Sequence, residues 1–254
     1  VSAPAPVFEQ VDEAIDRFAA LVRRIGPADP PAVGHWTVRD VAAHVAWAMD
    51  LYTGLLDGGA SPAADIGQTA ALSDAGIAGV VEREPEALAR AVEQARDRYL
   101  AAARDQTVTW HAGLRLPVTA LLGLTLGEAM VHGLDVARAL DQPWQMPRTW
   151  ANTVFEAVLP VVPTYLDQAA AAPARFDVRM RGGARVTFAI ADGALTVEPP
   201  GGWVDCHIDA DPVAFLLVFY GRSGPVAPAV RGRILAWGRR PWLGFALPRY
   251  FHRP

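Results

Sequence analysis

A chain of 254 residues is long for one small domain and short for three, so one large or two modest domains are expected. At 52% hydrophobic and 20% charged residues it can bury a sizeable core, which excludes a disordered chain, and a single cysteine, Cys206, excludes an internal disulfide and a cysteine-based metal cluster. The net charge of -4 hides an asymmetry: residues 1–174 carry 12 Arg against 21 Asp and Glu, residues 175–254 carry 11 Arg against 6, and there is no lysine.

Val1 to Val7 lack a basic start followed by an apolar stretch, so no signal peptide is expected. Val7 to Ile25 carries Val11, Ile15, Phe18, Leu21 and Val22 at helical spacing. After a Pro- and Gly-rich loop, Thr37-Val38-Arg39-Asp40 resembles a capping box and opens a helix expected to reach about Asp57. Gly58 to Gly79 is small, polar and aperiodic, a loop with room for one short helix. Pro85 suits the first turn of a helix through Arg104, and Thr107 to Leu116 is extended. A long helix follows from Pro117 to Leu140, stopped at Asp141-Gln142-Pro143, and another from about Thr149 to Ala170 completes a helical bundle. No uninterrupted apolar run reaches the ~18 residues of a membrane helix, because His44, Glu128 and His132 break the longest candidates.

Near Pro173 the period changes from 3.6 to 2. Phe176, Val178 and Met180 alternate with Asp177, Arg179 and Arg181, and Gly182-Gly183 and Asp192-Gly193 are hairpin turns. Val186 to Ile190, Leu195 to Val197 and Val204 to Ile208 continue as half-buried strands. A helix from Asp211-Pro212 to Tyr220, a strand at Ile234 to Trp237 and a closing helix from Trp242 to Phe251 end the chain. The fold class is therefore multi-domain, α plus α+β. Residues 1–172 form a four-helix bundle, and 173–254 form a smaller antiparallel sheet domain with covering helices. The Arg excess of this last part lacks the clustered basic and aromatic pattern of nucleic-acid binding. Guidance of a small carboxylate and arginines solvated on a sheet face stay open as readings.

The chemistry concentrates in Gly127-Glu128-Ala129-Met130-Val131-His132-Gly133-Leu134-Asp135. At ~100° per residue Glu128 and His132 lie ~40° apart and ~6 Å along the axis, so both can reach one point, with Asp135 further along the same stripe. Leu124, Val131, Leu134 and Val136 turn that stripe toward the bundle interior. Burying these charges together is costly unless they are paired or hold a metal. On the second helix the stripe Thr37, Val41, His44, Ala48, Leu51 and Leu55 is apolar apart from its capping threonine and His44. Taken alone, His44 could be a hydrogen-bonded core residue and Glu128–His132 an intrahelical pair. Together they make the His-His-carboxylate set of a catalytic zinc site, which other first-row metals also accept.

The segments HWTVRDVAAHVAWAMD (35–50) and LTLGEAMVHGLDVARAL (124–140) resemble the two signature segments of the mycothiol-dependent maleylpyruvate isomerase family, within the DinB-like metal-binding four-helix bundles. VTFAIADGALTV, DPVAFLLVFYGR and VRGRILAWG resemble the sterol-carrier-like domain that follows the bundle in many members. The resemblance puts the family's metal ligands on His44, Glu128 and His132. It implies a metal that holds a low-molecular-weight thiol, mycothiol, as thiolate, either for cis–trans isomerisation of a small, anionic electrophile or for S-transfer to one. Arg222, in FYGR, resembles the position of a substrate-binding arginine and suits a carboxylate of substrate or thiol cofactor, with Arg231 and Arg239 behind it. Its other reading is a helix-end cap.

Asp135 could bond the far nitrogen of His132 or pair with Arg138. Arg39 and Asp40 read as cap and surface pair. Cys206 lies on the apolar side of its strand, a core residue and not the nucleophile. His207 reads as structural or exposed, and His35, His111 and His252 belong to no constellation. A small-molecule or lipid binding module with a structural metal, and a DinB-like metallohydrolase, are the competing functions. A cytoplasmic location without membrane or nucleic-acid partners is expected.

Overall fold

The computed structural model describes residues 5–252 and divides into two compact units, the first ending at Gln145 and the second beginning at Met146.

The first unit is a helical bundle. It runs through α1 (Ala5–Val22), the short strands β1 (Pro31–Val33) and β2 (Trp36–Thr37), α2 (Val38–Leu56), α3 (Thr69–Gly79) and α4 (Pro85–Ala102). The hairpin strands β3 (Thr107–Thr109) and β4 (Arg115–Pro117) then lead into α5 (Val118–Ala139). Helices α1 and α2 each pack on α4 and α5. In α1, Val11, Ala14, Ile15, Phe18 and Val22 are buried, which is the 3- and 4-residue spacing that turns one face inward.

The capping box of α2 forms. The Asp40 backbone N–H donates to Thr37 Oγ1 at 3.2 Å, and the Thr37 N–H donates to the Asp40 carboxylate at 3.0 Å. Arg39 donates to the carbonyls of Arg83 and Gly26, so it ties loops rather than a ligand. Helix α5 is buried nearly all round. Its 22 residues are long and apolar enough by composition to cross a membrane, which uninterrupted runs alone did not reveal, but most of that stretch is buried inside the protein. Its apolarity is that of a central core helix. Thr125 inside it lies 3.0 Å from both Tyr99 Oη and the Leu121 carbonyl; with one proton to give, it donates to the carbonyl and accepts from the phenol.

The second unit starts with α6 (Arg148–Val158). A longer bundle helix to Ala170 was expected, but Pro160 and Pro163 cannot continue it, and a short 3-10 turn replaces its second half. Helix α6 belongs with the sheet, so the chain divides after Gln145 and not near 172. The strands are β5 (Ala174–Met180), β6 (Arg185–Ala191), β7 (Ala194–Glu198), β8 (Cys206–Ala210) and, after α7 (Pro212–Phe219) and α8 (Val226–Val230), β9 (Ile234–Trp237). Helix α9 (Leu243–Ala246) follows.

Sheet order is β7-β6-β5-β8-β9. The two hairpins form as the turns dictate, with Asp192 and Gly193 at φ 52° and 73°, the left-handed pair of a tight hairpin. The sheet is mixed, not purely antiparallel, because β5 and β8 pair in parallel, Phe176 opposite Cys206. A tight turn can only join antiparallel neighbours, and the connection 199–205 carries the chain past β6 to the free side of β5.

Phe176, Val178, Phe188, Ile190 and Ile208 form the core on one face with Phe155 of α6 and Leu243 of α9. On the other face the arginines are paired. Arg185 grips Asp177 with two bonds of 2.8 Å, Arg175 holds Glu198 at 2.8 Å, and Arg181 holds Asp209. Much of the basic excess is therefore paired on the sheet.

Candidate metal centre

Helix α2 delivers His44 and helix α5 delivers Glu128 and His132, one turn apart, to a common point. His44 Nε2 lies 3.3 Å and His132 Nε2 3.1 Å from the same oxygen, Glu128 Oε2. One ligand atom from each residue lies within 4.8 Å of the other two. Both histidines are buried, whereas the Glu128 side chain keeps 28% of its surface.

These separations test whether a cation fits. Donors bound at ~2.1 Å around a tetrahedral zinc stand about 3.4 Å apart, whereas charge-assisted N–H···O bonds close to ~2.7–2.9 Å. The observed 3.1 and 3.3 Å fall between these values, long for ionic hydrogen bonds and close enough for the three groups to share a cation. The donor set, two imidazoles and one carboxylate, is the one catalytic zinc sites use, with a fourth position left open.

The two imidazoles are oriented by different means. Asp135, buried on the next turn of α5, places Oδ2 3.3 Å from His132 Nδ1, on the side away from Glu128. This is an ion-pair distance without the alignment of a hydrogen bond, and Nε2 is the ring nitrogen that faces Glu128. His44 Nδ1 is buried with no hydrogen-bond partner among the described residues. Its ring is held by packing instead: the Trp36 indole lies over it at 4.8 Å between centroids and Trp47 at 5.9 Å. Trp36 also reaches within 6.1 Å of the His132 ring and donates Nε1–H to Asp74 at 2.8 Å.

Electrostatics follow the same division. Burial favours the neutral form of His44 and lowers its pKa, more than Glu128 can offset. Burial also opposes a charge on His132, but Asp135 and Glu128 together outweigh it and raise that imidazole to about 9. Burial pushes the Glu128 carboxyl upward, and the hydrogen bonds of His132 and His44 more than reverse it, holding it below the usual carboxylate range. With Glu128 and Asp135 negative and only His132 charged, the centre favours a cation.

Residues 8–137, just over half of the chain, match the mycothiol maleylpyruvate isomerase N-terminal domain family. The chain belongs to this family. It is thereby a member of an enzyme family, and the signature resemblance of 35–50 and 124–140 holds, the first segment lying inside the match and the second overlapping its end. Two crystal structures of mycothiol-dependent maleylpyruvate isomerase, one of them a mutant, share the fold. Each has a TM-score of 0.59 and covers 92% of this chain and 93% of its own, at 13% identity for the first and 12% for the mutant. No curated protein matches the chain.

Six other residues singled out in the sequence, Arg222, Arg231, Arg239, Cys206, His207 and His252, belong to the second unit. Arg222 is in the second unit, in the turn after α7, where its N–H donates to the Leu217 carbonyl at 2.8 Å and its Nη1 to the Tyr220 carbonyl at 2.8 Å. Gly221 at φ 71° makes that turn possible, and the two together close the helix end. Arg231 ends α8, and Arg239 lies over the Trp203 ring at 5.4 Å. Cys206 is fully buried in the sheet core. His207 bonds Asp177 at 2.7 Å and stacks on Trp237, and the His252 N–H donates to the Tyr165 carbonyl.

Two histidines read as solitary have partners. His35 reaches Asp74 at 3.0 Å, and His111 reaches Ser61 at 2.5 Å. The aromatic walls Trp36 and Trp47 were also missed. Trp47 was legible, standing three residues after His44 on one helix face, whereas the Asp74 tether spans 38 residues and leaves no local trace.

Proposed function

We propose that this protein is a metal-dependent enzyme that activates a low-molecular-weight thiol, mycothiol, for cis–trans isomerisation of, or S-transfer to, a small anionic electrophile. The observation that carries the reading is the convergence of His44, Glu128 and His132 in a chain of this family. The three would hold one divalent ion, zinc first, and the bound ion would supply a Lewis-acidic centre at which a thiol loses its proton and becomes a nucleophile.

The chain's own residues do the rest. Asp135 stands behind the His132 ring, and Trp36 and Trp47 pack against His44. Arg222 would bind a carboxylate of substrate or thiol cofactor. In the isomerisation, a cis double bond conjugated to a carbonyl becomes a single bond when sulfur adds, rotates, and is restored as trans on elimination. In S-transfer the sulfur stays attached. Cys206, with its thiol pushed up to about 11 by burial, is unsuited to supply that sulfur.

The test is a cobalt-substituted sample titrated with mycothiol. A new sulfur–cobalt absorption band is the expected result, and an unchanged spectrum would overturn the reading. One observation favours a second function, binding of an apolar ligand in the second unit. An apolar cleft there is lined by Ile208, Phe215, Phe219, Ile234 and Phe245, with an enclosed volume of only about 30 Å³. Displacement of a fluorescent fatty acid from the metal-loaded protein would support it, and absence of any fluorescent binding would dismiss it.

A further inference from the structure

Helix α3 contributes little to the bundle core, since Ile77 is its one buried residue. It packs on α2, and Arg83 ties its end to the cap of that helix, donating to the Ile77 carbonyl at 2.7 Å and to Asp40 at 3.2 Å. At ~100° per residue Asp74 and Gly76 fall on opposite flanks of Ile77. Each meets one of the two indoles around His44. Asp74 Oδ1 accepts Trp36 Nε1–H at 2.8 Å, the length of a charge-assisted bond, and stands 3.0 Å from His35 Nε2. Gly76 meets Trp47: a Cβ at that position would collide with the indole ring, so helix and ring fit only because no side chain stands between them.

These contacts matter because of how His44 is held. A metal-binding imidazole usually donates its far N–H to a carboxylate or a carbonyl, which fixes the plane of the ring. His44 Nδ1 has no such partner among the described residues. Its ring rests on Trp36, 4.8 Å away between centroids, and on Trp47, 5.9 Å away. Trp36 belongs to a strand of only two residues and is half-buried, so its indole needs a tether beyond its own backbone. The bond to Asp74 is that tether.

We propose that Asp74 is a positioning residue for the metal centre: through Trp36 it holds the His44 imidazole in its ligating orientation, and Gly76 does the same through Trp47. Helix α3 thereby clamps a centre to which it gives no ligand. The inference rests on the metal-binding part of the proposed function and adds to it the element that keeps one ligand in place. Packing of two tethered indoles does for His44 what a hydrogen bond to the far nitrogen does for most metal-bound histidines.

The test reads the zinc affinity of the full chain by competition with a chelator. Asp74→Ala should weaken zinc binding about tenfold. Asp74→Asn, which keeps an oxygen for the indole, should recover most of that loss, and Trp36→Phe, which lacks the N–H, should match Asp74→Ala. Joining Trp36→Phe to Asp74→Ala should cost no more than about twofold beyond either alone, because both cut the same link. Asp50→Ala, which breaks an exposed ion pair between α2 and Arg98, should leave the affinity unchanged. If Asp74→Ala does not fold, Trp36→Phe and Gly76→Ala, expected to weaken zinc likewise, decide. Losses that multiply in the double variant, or single variants within about twofold of wild type, would overturn the clamp. The metal-free chain separates this inference from the reading beneath it. There diethyl pyrocarbonate should acylate His44 several-fold faster in Asp74→Ala than in wild type, scored at that residue by tandem mass spectrometry. A wild-type chain that binds no zinc but shows this difference would sink the metal reading and leave the clamp standing; equal rates would overturn the clamp whatever the zinc affinity.

Discussion

The indole of Trp144 lies across Gly133 so closely that any Cβ at that position would collide with its ring, and its Nε1 donates to the Met130 carbonyl at 3.0 Å. The contact sits on the residue after His132, so the helix face that carries two of the three converging side chains is clamped from behind by one tryptophan. Gly133→Ala should therefore cost about 1–3 kcal/mol of stability through overpacking, and should weaken metal binding by shifting His132. Urea unfolding and zinc titration check both, and a variant as stable as the wild type would mean that the indole moves aside freely.

Removing an imidazole should empty the centre. Purified wild-type protein should contain about one zinc-like ion per chain, and His132→Ala should lose most of it, since two remaining donors bind weakly. Elemental analysis decides; full retention would move the metal away from α2 and α5.

Asp135→Asn nearly preserves shape but removes the charge 3.3 Å from His132 Nδ1. Metal affinity should fall about 10- to 100-fold, as when partners behind a ligating histidine are altered, while the fold stays intact. Competition with a chelator gives the number, and the same affinity as wild type would reduce Asp135 to a packing role.

Cys206 gives a pH prediction with a defined sign. Its thiol sits at about 11 in the folded protein against an ordinary value of 9.0, because burial disfavours the thiolate. Between those values the unfolded chain has lost a proton that the folded chain keeps, so stability falls as pH rises from 9 to 11. Cys206→Ala should flatten that part of the stability curve, and native protein at pH 8 should resist iodoacetamide. Rapid alkylation of folded protein would contradict the burial.

Legibility in the sequence followed range. The α2 cap at Thr37 and Asp40, the hairpin turns at 182–183 and 192–193, and the alternation of Phe176, Val178 and Met180 are local patterns, and each appears in the structure. Glu128 and His132 could be matched because one helix turn fixes their spacing, and His44 because it interrupts an apolar stripe. The pairing of Ser61 with His111 spans 50 residues, and that of Phe176 with Cys206 spans 30, so neither has a periodic signature. The end of α6 was written in Pro160 and Pro163, but its apolar spacing outweighed them. Its place beside the sheet depends on the edge-to-face contact of Phe155 with Phe215, which no local pattern encodes.

The parallel match of β5 with β8 governs how the second unit is made. As a nascent chain emerges, β5, β6 and β7 can zip into a meander at once, but the strand destined to be central keeps one bare edge until residue 206 has left the ribosome. That edge alternates Phe176, Val178 and Met180 with charge, a pattern that could recruit a strand from a neighbouring polypeptide. Termination of synthesis anywhere before β8 would leave an aggregation template, so the integrity of this half rests on its last fifty residues arriving promptly.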